Sequence, residues 1–192
     1  MNEALLDASS AILLYKTGLL EAFIGLYHVF IPHSVLQELT RENRAGATVF
    51  EHHVTADIIK VIDTDKVVPN STALSKAMNS FGKGERDTIM CLKAGKGDFI
   101  VTDDGKAARY CQDKALPFIN ALLFPRLLYF AGIMSVNESR TKMKSIIYVG
   151  RYSPQIKAWA FNCSKEALAF AIPREVGYEN RYRTQGYSLS LL

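Results

Sequence analysis

The sequence is poor in residues that staple or interrupt a chain. Its three cysteines, Cys91, Cys111 and Cys163, show no C-x-x-C spacing, and their odd number leaves one over in any pairing scheme. That excludes a disulfide framework and a zinc ribbon, and it fits buried thiols in a cytosolic protein. There are only six prolines and one tryptophan, and no internal repeat or low-complexity tract is visible. The opening "MNEALLDASS" has Glu3 and Asp7 where a secretion signal needs Lys or Arg ahead of an apolar core. The expectation is therefore a chain that begins here without a signal peptide and stays in the cytoplasm. One stretch, "LPFINALLFPRLLYFAGIMSV" from Leu116 to Val136, approaches membrane-spanning length. Pro125 and Arg126 near its middle predict a strand followed by a buried helix, with no membrane partner.

What is present is apolar, mildly basic and alternating. Hydrophobic residues make up 48% of 192 residues, enough for one substantial core. Lys and Arg number 23 against 19 Asp and Glu, a net charge of +4, which favours contact with a polyanion over an acidic protein. Apolar runs of strand length alternate with stretches of helical period, the pattern of a three-layer α/β/α fold with a central parallel sheet of about five strands. The strands are read in "EALLDAS", "LYHVFIP", "DIIKVID", "DFIVT" and "LPFIN". Between them fall helices over "SAILLYKTG", "LLEAFIG", "HSVLQELTREN" with Ser34 as its N-cap, "TVFEHHVTA", Glu85 to Ala94, and Lys106 to Lys114. "VVPNSTALSKAMNSFGKG" reads as a loop-rich crossing around a short helix. After Gly132 two helical stretches broken at Gly150 and Pro154 predict a C-terminal helical hairpin. The organisation expected is a main domain over 1–132, a helical extension packed on it over 133–172, and a basic, aromatic tail over 173–192.

The acids carry the chemistry. In "GERDTIMCLKAGKGDFIVTDDGKAARYC" a basic chain collects Glu85, Asp87, Asp103 and Asp104 around a short apolar strand. Asp7 and the Asp103/Asp104 pair stand at the C-terminal ends of strands, the edge of a parallel sheet where sites form. Glu38 follows the second strand and Asp87 opens the helix before "DFIVT", so all can meet on one rim. Each alone has a structural explanation as a helix cap or first-turn acid. Together they do not, because two carboxylates ~4 Å apart repel by roughly 4 kcal/mol at an effective dielectric of about 20. Hard oxygen donors without His or Cys select Mg2+ or Mn2+ over zinc. Adjacent Asp103 and Asp104 point to opposite faces if the strand runs through both, so one is a ligand and the other an auxiliary. Glu85 shares the site if it precedes the helix proper, which Gly82 and Gly84 permit.

Asp7 in "LLDAS", Glu38 in "VLQEL", Glu85 and Asp87 in "GERDTI" and Asp104 in "VTDD" resemble the PIN-domain nucleases. The resemblance covers Met1 to about Gly132, and the helices beyond are similar to the extension of stand-alone prokaryotic members of the VapC toxin type. It implies metal-dependent hydrolysis of RNA, with Mg2+ or Mn2+ held by Asp7, Glu38, Asp87 and Asp104, and with Glu85 and Asp103 as further metal ligands. It also implies candidate partners: RNA, a small antitoxin protein and a second copy of the chain in a homodimer. Ser9, Lys83, Arg86, Lys106 and Arg109 surround the acids and are the residues expected to hold phosphates. The competing reading is a catalytically weak nucleic-acid-binding scaffold whose acids serve as caps and whose Arg/Tyr tail binds RNA. His52 and His53 are adjacent, cannot chelate together and are read as surface residues. Tyr152, Trp159, Phe161 and Phe170 are read as core packing.

Overall fold

Five strands are present among the residues described by the computed structural model, which are 1–68, 78 and 80–173. They are β1 (Glu3–Leu6), β2 (His28–Pro32), β3 (Ile59–Ile62), β4 (Phe99–Val101) and β5 (Phe118–Ile119). Their order is β3-β2-β1-β4-β5 and every pair is parallel, in register Leu5 with Phe30 and Leu5 with Ile100. Both faces are covered, which is why β1 and β4 read as unbroken apolar runs and not as alternating ones. Leu5 and Ile100 pack on one face with Ile89, Cys91 and Cys111. Ala4, Leu6 and Val101 pack on the other with Phe23, Tyr27 and Phe124.

Helices α1 (Ala8–Lys16) and α2 (Leu20–Leu26) follow β1, separated at Gly18, whose φ of +67° suits a residue without Cβ. After β2 come α3 (His33–Leu39) and α4 (Ala47–Thr55), and after β3 a one-turn helix, α5 (Thr64–Val67), that the sequence pattern does not reveal. Ser34 is not the cap of α3. Pro32 holds that position, and the Ser34 hydroxyl donates to Asp87 Oδ2 at 2.6 Å. The short helix expected in the crossing after β3 and the basic tail fall mostly outside the described residues. Next are α6 (Lys83–Lys93), α7 (Gly105–Asp113) after β4, and, after β5, a 3-10 turn at Ala121–Leu123 leading into α8 (Phe124–Phe130).

The last helices are α9 (Val136–Val149), opened by a capping box of Ser135 and Glu138, and α10 (Pro154–Asn162), capped by Ser153. Their buried Met143, Ile146 and Ala160 belong to the same core cluster as the sheet residues. The Tyr27 hydroxyl donates to the Ala171 carbonyl at 2.6 Å and Asn2 Nδ2 to the Phe170 carbonyl at 3.0 Å, tying the chain after α10 back to the sheet. Three surface-or-core expectations are corrected. His53 is buried, with Nε2 2.8 Å from Glu21 Oε1, because α4 turns that face onto α2. Trp159 and Phe170 are 49% and 40% exposed, so they are not core residues.

The connection after β1 leads to β2 on one side, and the connection after β3 crosses to β4 on the other. β1 and β4 therefore flank a topological switch point, and a crevice opens beyond their C-terminal ends.

Candidate active site

Asp7 follows β1 directly and caps α1. Its Oδ1 accepts the Ser10 backbone N–H at 2.7 Å and the Ser9 hydroxyl at 2.9 Å, and its Oδ2 accepts the Thr102 hydroxyl at 2.5 Å. Only 2% of the residue is exposed. Burial raises its pKa from the usual 3.8 to about 6; the three hydrogen bonds oppose the rise, and the nearby Asp103 charge adds to it.

Asp103 comes from the loop after β4. Its Oδ2 accepts the Ser10 hydroxyl at 2.7 Å and the Ala121 N–H at 3.0 Å, and its Oδ1 accepts the Tyr152 hydroxyl. Burial pushes its carboxyl upward against those three donors. Ser10 thus bridges the two aspartates, its N–H to one and its Oγ–H to the other. Thr102 makes a second bridge, donating to Asp7 while accepting the Asp104 N–H at 3.3 Å.

Across the crevice, Glu38 on α3 leans on the first turn of α6, where the Gly84 N–H donates to it. Burial first, and then the Glu85 charge, hold its carboxyl above the usual range. A Cβ at Gly84 would lie 2.7 Å from Glu38 Oε1, so the contact depends on glycine there. Glu85 Oε2 is buried with no hydrogen-bond partner. Glu38, Glu85 and Asp103 line one cleft of about 380 Å³ together with Ala8, Ser9 and Tyr152; Asp7 is not among the lining residues but sits directly behind Ser9, whose hydroxyl donates to it.

The other expected residues stand elsewhere. Asp104 caps α7, Oδ1 accepting the Lys106 and Ala107 N–H groups at 2.8 Å each, and it does not line the cleft. Asp87 accepts from Ser34, has Arg86 Nε 3.5 Å from its Oδ1, and faces a separate cleft of about 430 Å³ with His33, Asp63 and Lys83. Lys83 and Arg86 line that second cleft, and Lys106 and Arg109 are exposed on α7. Of the expected phosphate-binding residues, Ser9 alone lines the acidic cleft.

A family model described as PIN domain matches residues 3–154, four-fifths of the chain and everything from β1 to the start of α10. The chain belongs to the PIN-domain family. No curated protein and no solved structure matches it. PIN domains are in general nucleases that use divalent metals, and this PIN domain has their nuclease-type fold. No single helix among its described residues is long and apolar enough to cross a membrane.

The donors of the cleft suit a hard divalent cation in kind: all are carboxylate oxygens, and the orphaned Glu85 Oε2 is a buried acceptor without a donor. They are not gathered in advance. Among the described residues no three His, Cys, Asp or Glu side chains stand in ligating range of one point. Asp7 and Asp103 each already accept three hydrogen bonds from the protein, which leaves each about one acceptor site for an ion. Ser10, Thr102 and Tyr152 were not singled out as site residues from sequence. Ser10 had a signal, lying three residues after a capping acid, and Thr102 directly precedes the acid pair; Tyr152 had none.

Proposed function

We propose that this PIN-domain protein is a Mg2+- or Mn2+-dependent ribonuclease that hydrolyses phosphodiester bonds in the crevice between β1 and β4. The observation that carries the reading is the pair Asp7 and Asp103, bridged by Ser10, of which Asp103 lines one cleft together with Glu38 and Glu85. Such a group repels itself unless a cation or a proton is shared. Glu38, Glu85 and Asp103, with Asp7 behind Ser9, would hold the ion; its contribution is Lewis acidity and a lowered pKa for bound water.

The chain's own residues do the rest. Thr102, Ser9 and Ser10 hold Asp7 in one orientation, and Tyr152 and the Ala121 N–H do the same for Asp103; an ion would have to draw Glu38 and Glu85 toward them. The Gly84 N–H donates to Glu38. Asp87 and Asp104, expected from the motif to take part, support the site by anchoring α6 to α3 and by starting α7.

One observation favours the scaffold reading: Asp7, Asp103 and Asp104 all have protein donors, as caps and loop anchors do. End-labelled single-stranded RNA incubated with Mn2+ or with EDTA separates the two. The ribonuclease cleaves only with Mn2+, and Asp7→Asn and Asp103→Asn each lower the rate by about a hundredfold or more while circular dichroism is unchanged. Undiminished cleavage in both variants, or none in the wild type with any divalent ion, leaves the scaffold.

A further inference from the structure

Two guanidinium groups stand in the acidic cleft outside salt-bridge distance of its acids, although the Arg44 charge acts to lower the Glu38 carboxyl. Arg44, from the connection between α3 and α4, and Arg151, from the connection between α9 and α10, line the same cleft as Glu38, Glu85 and Asp103. No salt bridge among the described residues joins either to those carboxylates. Arg44 uses Nε to donate to the Glu38 carbonyl at 3.3 Å, and its terminal N–H groups make no hydrogen bond among the described residues. Arg151 is exposed and has no hydrogen bond among the described residues.

Arg151 is nevertheless held at the cleft by its neighbours. The Tyr152 hydroxyl donates to Asp103, which draws the α9–α10 connection onto the cleft. The Tyr152 ring packs so closely on Gly150 that a Cβ there would lie 2.6 Å from the ring and 3.1 Å from the Ile146 carbonyl. The connection is therefore seated by an anchored ring on one side of Arg151, and the arginine projects from a fixed base.

We propose that Arg44 and Arg151 are a phosphate clamp spanning the acidic cleft, and that they take the backbone of a single RNA strand on either side of the bond to be cut. The inference rests on the ribonuclease reading and names how its substrate is held. An acidic floor repels phosphate, so a strand lies over it only where cations at the rim offset that field. The planar guanidinium fork, with several donors in one plane, matches phosphate oxygens better than an ammonium does. At about 380 Å³ the cleft is near the lower end of ligand-sized sites, room for one nucleotide unit and not for a duplex. The helical extension thereby completes the site, since one jaw of the clamp belongs to it.

The test is fluorescence anisotropy with a labelled single-stranded oligoribonucleotide of mixed sequence in EDTA, over a salt series. Each phosphate contact in a single strand contributes about 0.7 to the slope of log affinity against log salt. Arg44→Gln and Arg151→Gln should each lower the slope by about that amount and weaken binding several-fold, while Lys144→Gln, at an exposed position of α9 outside the cleft, leaves the slope unchanged. Both arginines are on the surface, so circular dichroism should match the wild type. Unchanged slopes in both arginine variants, or a wild type that binds duplex in preference to single strands, overturn the clamp. Mn2+-dependent cleavage is read separately. If it is absent while the slopes fall, the clamp stands and the ribonuclease reading falls; if it persists with unchanged slopes, only the clamp is lost.

Discussion

At Asp7 function and stability pull in opposite directions. In the metal-free protein its carboxyl is raised to about 6 from 3.8, chiefly by burial. The folded state therefore holds the proton more tightly than the unfolded state. Its contribution to stability is full below about pH 3.8, declines as pH rises through about 6, and is lost above that. The charge costs the fold about 3 kcal/mol at pH 8, the difference between those two values at 1.36 kcal/mol for each. Asp7→Asn keeps the shape and removes the charge, with Thr102 turning its hydroxyl to accept from the amide. Urea unfolding in EDTA should show this variant more stable than the wild type at pH 8, with the gap narrowing below pH 6. A variant less stable at both pH values would mean that the carboxylate hydrogen bonds outweigh its desolvation. The same residue shows how far a linear reading reaches. Asp7 and Glu38 were legible because each sits at a fixed offset from a strand whose pattern is plain. The choice between Asp103 and Asp104 was not, because β4 ends at Val101 and strand alternation no longer governs either residue. Asp103 turns to Ser10 and Tyr152, and Asp104 turns to the N–H groups of α7. Arg44 and Arg151 were illegible for a related reason: only tertiary packing brings two connections so far apart in sequence to one cleft.

At the scale of elements, the contact between α3 and α6 decides where Glu38 points. Strand and helix order followed from periodicity, but the close approach of these helices depends on Gly84 having no side chain. Alanine is better than glycine by about 1 kcal/mol in a helix interior and by less at Gly84, in the first turn of α6. Gly84→Ala places its Cβ 2.7 Å from Glu38 Oε1 and 3.2 Å from Val35 Cγ2. Glu38 Oε1 is the far end of a flexible side chain and can swing away, whereas buried Val35 shifts only slightly. The helix gain and the crowding offset one another, so thermal stability should stay within about 1 kcal/mol of wild type. Mn2+-dependent cleavage should fall about tenfold or more, as in Glu38→Gln. Wild-type activity in Gly84→Ala with unchanged stability would remove Glu38 from the site. Asp87 belongs to the same contact by another route, since its bond from Ser34 joins α6 to α3 from a separate cleft.

At the scale of the molecule, the expected division into a main domain and a packed extension meets one continuous core. Met143, Ile146, Ala160 and Leu168 lie in the same cluster as the sheet residues Ala4, Leu6 and Val101. The family match also runs past Gly132, through α9 to residue 154. An extension that shares its apolar contacts with the sheet cannot open without exposing the sheet, so the chain should unfold as one unit. The single tryptophan, Trp159, lies in α10 and reports on the extension, while far-UV circular dichroism reports on all helices and strands. The two probes should give coincident urea transitions. Tyr27→Phe sharpens the test, because it leaves the Ala171 carbonyl without the hydroxyl that donates to it at 2.6 Å. Losing one buried partner costs about 1–3 kcal/mol, and in a single cooperative unit both probes move to lower urea together. A fluorescence transition that moves alone, with circular dichroism unchanged, would show that α9 and α10 unfold independently. The Tyr152 to Asp103 bond and the Arg151 jaw would then open while the sheet and its remaining acids stay folded.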